Sequence, residues 1–330
     1  MNTFQEQFHR EWWQLNDQHV RALAWLITSP DLLDKDSAIW WRQLGSLDVP
    51  DYNQLRNWLF HLDAHPSPLH EALKIHRFLR LGHYAENLLT YYFSHEGLLY
   101  AHGLQVHNDK AETIGEFDYL LFAQGGLLHL ELATKFYLFQ QQLPKSSHLR
   151  QASSTNSPLQ ASPSAPSVYD YLGPNLNDSL GAKMQKILQR QLTLSQHEAA
   201  RKLVQSRIIA ARALVKGWLF YRSSEPKRVV SGVAANHCLG FWWTLAEFEQ
   251  LAIPYALKLE RLQWLAPAQV SADEVMDKSM ILDTLQRYFH TDSTPVLVAI
   301  MKKNGDLMQE FCRGMVVPND WPDKAGQIQR

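Results

Sequence analysis

Hydrophobic and polar positions change their period several times along the chain, and each change marks an element. From the N-terminus to about residue 66, Trp12, Trp13, Leu15, Leu23 and Leu26 recur near helical spacing. Pro30, Pro50 and Pro66 punctuate the segments, so residues 1–70 read as a helical region. Leu81, Tyr84, Leu88 and Tyr91 or Tyr92 share one stripe and predict a helix over 70–93. Residues 97–106 predict a first strand. The period then drops to two: residues 114–121 and 128–136 alternate, with the short Gly-containing link Ala123-Gln-Gly-Gly126 between them. Folding this hairpin between Gln124 and Gly125 sets Asp118 opposite Glu131, Glu116 opposite Ala133 and Ile114 opposite Lys135. Glu116, Asp118, Glu131 and Lys135 then project from one face.

Residues 145–167 are rich in Ser, Pro, Gln and Ala and bury too little apolar surface to offset their ordering entropy, which predicts a disordered insertion within a domain. Asn177 or Asp178 is expected to cap the next helix, whose stripe carries Leu180, Met184, Ile187, Leu188 and Gln191. Residues 208–221 read as a buried strand. In the C-terminal third, Ser271-Ala-Asp-Glu274 is a capping box expected to open a helix towards His290. Strands over 295–303 and 306–317 are joined by Asn304-Gly305, a hairpin signal. Residues 71–225 thus run helix, three strands, helix, strand. The expected fold class is α/β, a mixed central sheet flanked by helices, with a helical region over 1–70 and an α+β region over 226–330.

Composition narrows the function. Formal net charge is −1, so any nucleic-acid contact must come from a local patch. The two cysteines, Cys238 and Cys312, give neither a disulfide framework nor a zinc spacing, which suits a reducing compartment. The first residues lack the pattern of a secretory signal. No run approaches the ~18 apolar residues of a membrane span. A cytoplasmic protein with no membrane partner is expected. The chain has no phosphate-cradling Gly loop, which argues against a nucleotide cofactor, and no Gly-x-Ser-x-Gly elbow. The Trp12-Trp13, Trp40-Trp41 and Trp242-Trp243 pairs are expected to pack in the core; stacking on bases is the other reading.

Candidate chemistry centres on the hairpin. Carboxylates directly opposed across two strands repel, and a cation between them relieves the repulsion. Hard oxygen ligands suit magnesium or manganese. Glu86 lies one helical turn from Gly82, so Glu86, Asp118 and Glu131 offer three carboxylates from three elements. Such a set serves metal-assisted phosphodiester hydrolysis, with a lysine to balance developing charge. Taken as spacing alone, the same hairpin residues also describe a solvated face with a Glu116–Lys135 ion pair. Gln191 is either a site residue facing the acids or a core polar group. Lys183, Lys186 and Arg190 form a basic ridge for phosphates or a solvated helix face. His129, beside Glu131, reads as structural.

Thr-Ile-Gly-Glu-Phe-Asp118, Leu-His-Leu-Glu131 with Lys135, and the upstream Gly82-x-x-x-Glu86 helix together resemble the PD-(D/E)XK nuclease-like superfamily over roughly residues 71–225. That resemblance implies an αβββαβ core, Asp118 and Glu131 as metal ligands, and Glu86 as an auxiliary acid. It implies a metal-dependent endonuclease-like protein acting on DNA. One position departs: where the superfamily places a lysine two residues after the acid this chain has Ala133, and Lys135 follows two residues later. At ~3.3 Å per residue its Cα lies ~13 Å from that of Glu131, against ~7 Å for the superfamily lysine. On the residue reading with this resemblance, Lys135 is the electrostatic partner, supported by Glu116 and Gln191, and Lys183, Lys186 and Arg190 face nucleic acid. The displaced lysine leaves open a catalytically inert member that binds nucleic acid or protein, and a carboxylate-pair hydrolase of another substrate is a third class. The segments Gly173-Pro-Asn to Leu192, His237-Cys-Leu-Gly-Phe-Trp-Trp243, Trp264-Leu-Ala-Pro267 and Arg313-Gly-Met-Val-Val-Pro318 also resemble an uncharacterised bacterial family known only as a domain of unknown function.

Overall fold

The computed structural model describes residues 3–74, 80–141 and 165–328. Five helices come first: α1 (Phe4–Trp12), α2 (Gln18–Thr28), α3 (Tyr52–Ala64), α4 (Ser67–Leu73) and α5 (Leu81–His95). The single helix expected over 70–93 is therefore two. Lys74 closes α4 in the left-handed conformation at φ 49°, and the next described helix begins at Leu81. Three strands follow, β1 (Leu99–His107), β2 (Thr113–Ala123) and β3 (Gly126–Phe139), and then a two-residue strand, β4 (Tyr171–Leu172). The insertion expected over 145–167 falls outside the described residues up to 164.

The helix α6 (Leu180–Lys186) starts at Ser179, whose hydroxyl accepts from the Ala182 N–H; neither Asn177 nor Asp178 is the cap. The chain continues through a π turn (Ile187–Gln191) and a 3-10 turn (Leu192–Gln196) into α7 (Glu198–Leu203) and β5 (Ile208–Arg222). The C-terminal region adds β6 (Leu239–Thr244), α8 (Leu245–Gln250), β7 (Tyr255–Lys258), β8 (Gln269–Ser271), β9 (Met276–Asp277), α9 (Lys278–Thr291), β10 (Val296–Asn304), β11 (Leu307–Val317) and α10 (Trp321–Gly326). The Ser271–Glu274 capping box is present but holds a single 3-10 turn; Asp277 caps the long α9. Asn304 pairs with Leu307, so the tight turn is Gly305-Asp306 rather than Asn304-Gly305, with Gly305 supplying φ 62°.

All strands join one mixed sheet in the order β1-β2-β3-β5-β6-β11-β10-β7-β9, with β4 on β3 and β8 on β11. β1, β2 and β3 are antiparallel neighbours, while β3, β5, β6 and β11 run parallel. Strands from 71–225 and from 226–330 thus share one sheet. One face packs on α1, α2 and α5 through Tyr119, Leu130, Trp218 and Met315; the other carries α6 on Ala133, Tyr137, Val215 and Leu219. The Trp25 and Trp218 rings stack at 6.4 Å in the first of these layers. Gly217 is required where β5 meets β3: at φ 152° a Cβ there would lie 1.8 Å from the Lys135 carbonyl oxygen.

Three of the segments that carried the family resemblance meet here as structure. Buried Arg313 donates to both Glu310 carboxylate oxygens and to the carbonyls of Trp264 and Ala266, and its guanidinium lies 4.1 Å from the Trp218 ring centroid. His237 accepts or donates at 2.9 Å to Tyr221, which bonds Tyr171 in turn. Among the described residues no helix is long and apolar enough to cross a membrane.

Candidate active site

Gly125 (φ 87°) turns β2 into β3, and Tyr119↔Leu130 through Ala123↔Gly126 pair in the register that the alternation predicts. The ladder then stops. β2 continues to Thr113 and β3 to Phe139, yet only five couples are paired, so the strands part just where Asp118 meets Glu131. Here side chains replace the ladder. The Leu132 N–H donates to Asp118 Oδ2 at 2.9 Å, and the Asp118 N–H reaches Glu131 Oε1 at 3.5 Å. Each carboxylate crosses to the other strand's main chain. The expected Glu116–Ala133 and Ile114–Lys135 couples do not form because the fork opens before them. Glu116 is exposed and accepts from Gln105 Nε2 at 3.1 Å on β1.

Glu131 is 1 % exposed. Its Oε1 bonds His129 Nε2 at 2.7 Å and its Oε2 accepts from Gln191 Nε2 at 2.5 Å. The π turn directs Gln191 onto the acid, a placement that π turns in helices frequently serve. His129 is fully buried against the edge of Phe117, with ring centroids 4.6 Å apart, and among the described residues neither its Nδ1 nor Gln191 Oε1 has a partner. The histidine read as structural is therefore a direct neighbour of the acid. Its place two residues before Glu131 on the same face was the signal.

Burial, and then the negative charge of Glu131, push the Asp118 carboxyl up to about 8, against the bond from Leu132 and the charge of Lys183. Both causes favour the protonated form of the half-buried Asp118. Lys183, half-buried on α6, is the cation whose charge bears on both acids; burial and Lys186 lower its pKa, while Asp118, Glu131 and Asp178 raise it. Lys135 is half-buried on β3. Burial and the charges of Lys183 and Lys186 lower its pKa, opposed by Asp178, whose Oδ2 accepts from Tyr137 at 2.9 Å. Lys183, expected to face nucleic acid, is thus the lysine whose pKa both acids raise, and its own charge lowers that of Asp118. Lys186 and Arg190 remain on the exposed side of the helix.

Glu86 borders the fork from α5. Its charge adds to the upward push on Asp118, but its carboxylate is bound 3.0 Å from His83 Nδ1, and its main-chain oxygen accepts from Tyr119. Among the described residues no three His, Cys, Asp or Glu side chains come together as a metal cage. The expected trio is a crossed pair with Glu86 held apart by His83. His61 on α3 and His65, the residue that caps it, are spaced as a ligand pair with rings 5.2 Å apart, and among the described residues they likewise gain no third ligand. Two carboxylates are fewer ligands than a closed zinc site needs.

Residues 21–317 match the model of a family described as a domain of unknown function (DUF1853). No curated protein and no solved structure matches the chain.

Proposed function

The chain belongs to the DUF1853 family, and we propose that it is a metal-dependent phosphodiesterase acting on nucleic acid. Asp118 and Glu131 would hold Mg²⁺ or Mn²⁺. The observation that carries this reading is the crossed carboxylate pair in the strand fork, desolvated and beside a half-buried lysine. A fold keeps such a pair against its own repulsion when the site serves chemistry. The order of one helix, three antiparallel strands, a helix and a parallel strand supports the finer reading of a PD-(D/E)XK-like core.

The residues divide the work. His129 and Gln191 fix the Glu131 carboxylate from both oxygens, so it is oriented before any ligand arrives. Asp118 would hold a cation in its deprotonated form, so binding would displace its proton. A bound ion would polarise a phosphoryl oxygen and lower the pKa of a water. Lys183 faces charge that develops on the phosphate, and its lowered pKa leaves it able to exchange a proton nearer neutrality than an ordinary lysine. Lys135 and Asp178 add opposing charges that bear on the same lysines.

A second reading has its own support: among the described residues no third ligand joins the pair, so the fold would then bind nucleic acid without turnover. Cleavage of end-labelled single- and double-stranded DNA with Mg²⁺ or Mn²⁺ separates them. Cleavage by the wild type, lost in Asp118→Asn and reduced at least 100-fold in Lys183→Met with circular dichroism unchanged, supports hydrolysis; removal of one charge-stabilising group typically costs about 10² to 10³ in rate. No cleavage, or equal cleavage by Asp118→Asn, overturns it.

A further inference from the structure

Beyond the acid fork lies a cavity of about 750 Å³ whose wall includes Arg42, Arg201, Arg207 and Arg212 and no Asp or Glu. None of these arginines lies within ion-pair distance of a carboxylate among the described residues. Arg212, half-buried on β5, donates only to the carbonyl of its neighbour Ala211, at 2.9 Å. Four unpaired positive charges around one void repel each other, and an anion placed among them removes that repulsion. The sequence carried a trace of this: no acid occurs between Glu198 and Glu225, whereas Arg201, Lys202, Arg207 and Arg212 do.

The cavity has a definite relation to the acids. β5 pairs with β3 along one edge, Leu130 with Arg212 and Glu131 with Ala213. On its other edge β6 joins only from Leu219, and the segment around Leu44 covers only Ala213, which leaves residues 208–212 as the floor of the cavity. The helical turns that carry Gln191 to Glu131 continue as its wall through Leu192, Thr193 and Ser195. Next to Arg42 in the chain, Trp41 is 65 % exposed, with the Arg42 guanidinium 5.3 Å from its ring centroid. The neighbouring Trp40 is buried, as are Trp12, Trp242 and Trp243. Trp41 and Trp13, both exposed, are thus the members of the tryptophan pairs that core packing does not account for.

We propose that this cavity docks a nucleic-acid single strand, its phosphates held by Arg42, Arg201, Arg207 and Arg212 and a base stacked on Trp41. Arginine forks match phosphate geometry, and an aromatic surface beside a basic groove suits unpaired bases. The inference rests on the preceding reading for its class of ligand, and it extends the strand path one strand away from Glu131.

The probe is a fluorescein-labelled oligo-dT of 12 nucleotides, followed by anisotropy in EDTA, where catalysis plays no part. Four phosphate contacts predict a slope of log K against log salt of about −3. Arg201→Glu with Arg207→Glu, both exposed, should weaken binding at least 30-fold and flatten that slope, while the corresponding double lysine variant retains most of it. Trp41→Ala should cost about tenfold. Asp118→Asn should bind like the wild type, so loss of cleavage and loss of docking are read separately. Equal binding by the double glutamate variant, tighter binding of a 12-base-pair duplex than of the single strand, or no binding at low salt would each overturn the proposal.

Discussion

Replacing Asp118 by Asn tests the electrostatics of the fork. The amide keeps the side chain's shape and its oxygen still accepts from the Leu132 N–H, while the titrating charge beside Glu131 is gone. In the folded chain the Asp118 proton is held up to about 8, against an ordinary 3.8. Between those two values the folded chain keeps a proton that the unfolded chain has lost, so wild-type stability falls as pH rises across the window and levels off above it. At 1.36 kcal/mol per pH unit the full interval comes to about 6 kcal/mol, an upper bound. Water entry and relaxation of the fork reduce it to about 2–3 kcal/mol. Asp118→Asn should therefore match the wild type near pH 4 and gain steadily towards pH 8. Urea midpoints at pH 4, 6, 7 and 9, in EDTA, measure this. A gain independent of pH, or a variant less stable than the wild type at pH 9, refutes the reasoning.

Metal affinity should carry the same proton: Mn²⁺ binding at pH 6.5 should release close to one proton per ion, seen as a dependence of the calorimetric heat on buffer ionisation enthalpy, and the release should vanish above pH 9. Gln191→Ala removes a bond to Glu131 without touching the ion, so it should weaken Mn²⁺ binding about tenfold and leave the melting temperature nearly unchanged. Gly217→Ala should abolish soluble expression or cost well above 3 kcal/mol, because its Cβ meets the Lys135 carbonyl; solubility and thermal denaturation report it. Glu310→Gln leaves Arg313 buried without its counter-charge and should cost about 3–5 kcal/mol by denaturant unfolding.

The hairpin was legible because its information is local. Alternation and one Gly-containing link set the register that opposes Asp118 and Glu131, and the buried strand at 208–221 announced itself by its apolar run. What the period-two rule missed was the end of the ladder: it assumed that pairing continues to Lys135, whereas the carboxylates take over the Leu132 and Asp118 main-chain groups and the strands part. Lys183 comes to the acids from a helix some fifty residues further on, a tertiary event that no spacing encodes. The arginine cavity is less legible still, since Arg42 reaches it from the N-terminal region while Arg201, Arg207 and Arg212 come from α7 to β5. In the C-terminal region the caps were recognised by type but placed one element early: Ser271 and Glu274 close their box around a single turn before Asp277 starts the helix.

Calorimetric titration of Mn²⁺ into the wild type and Asp118→Asn at pH 8, with matched circular dichroism and a 12-nucleotide oligo-dT present, tests the central claim most directly. The account predicts one ion bound by the wild type and none by the variant. Equal binding in both, or none in either, contradicts a metal held by Asp118 and Glu131.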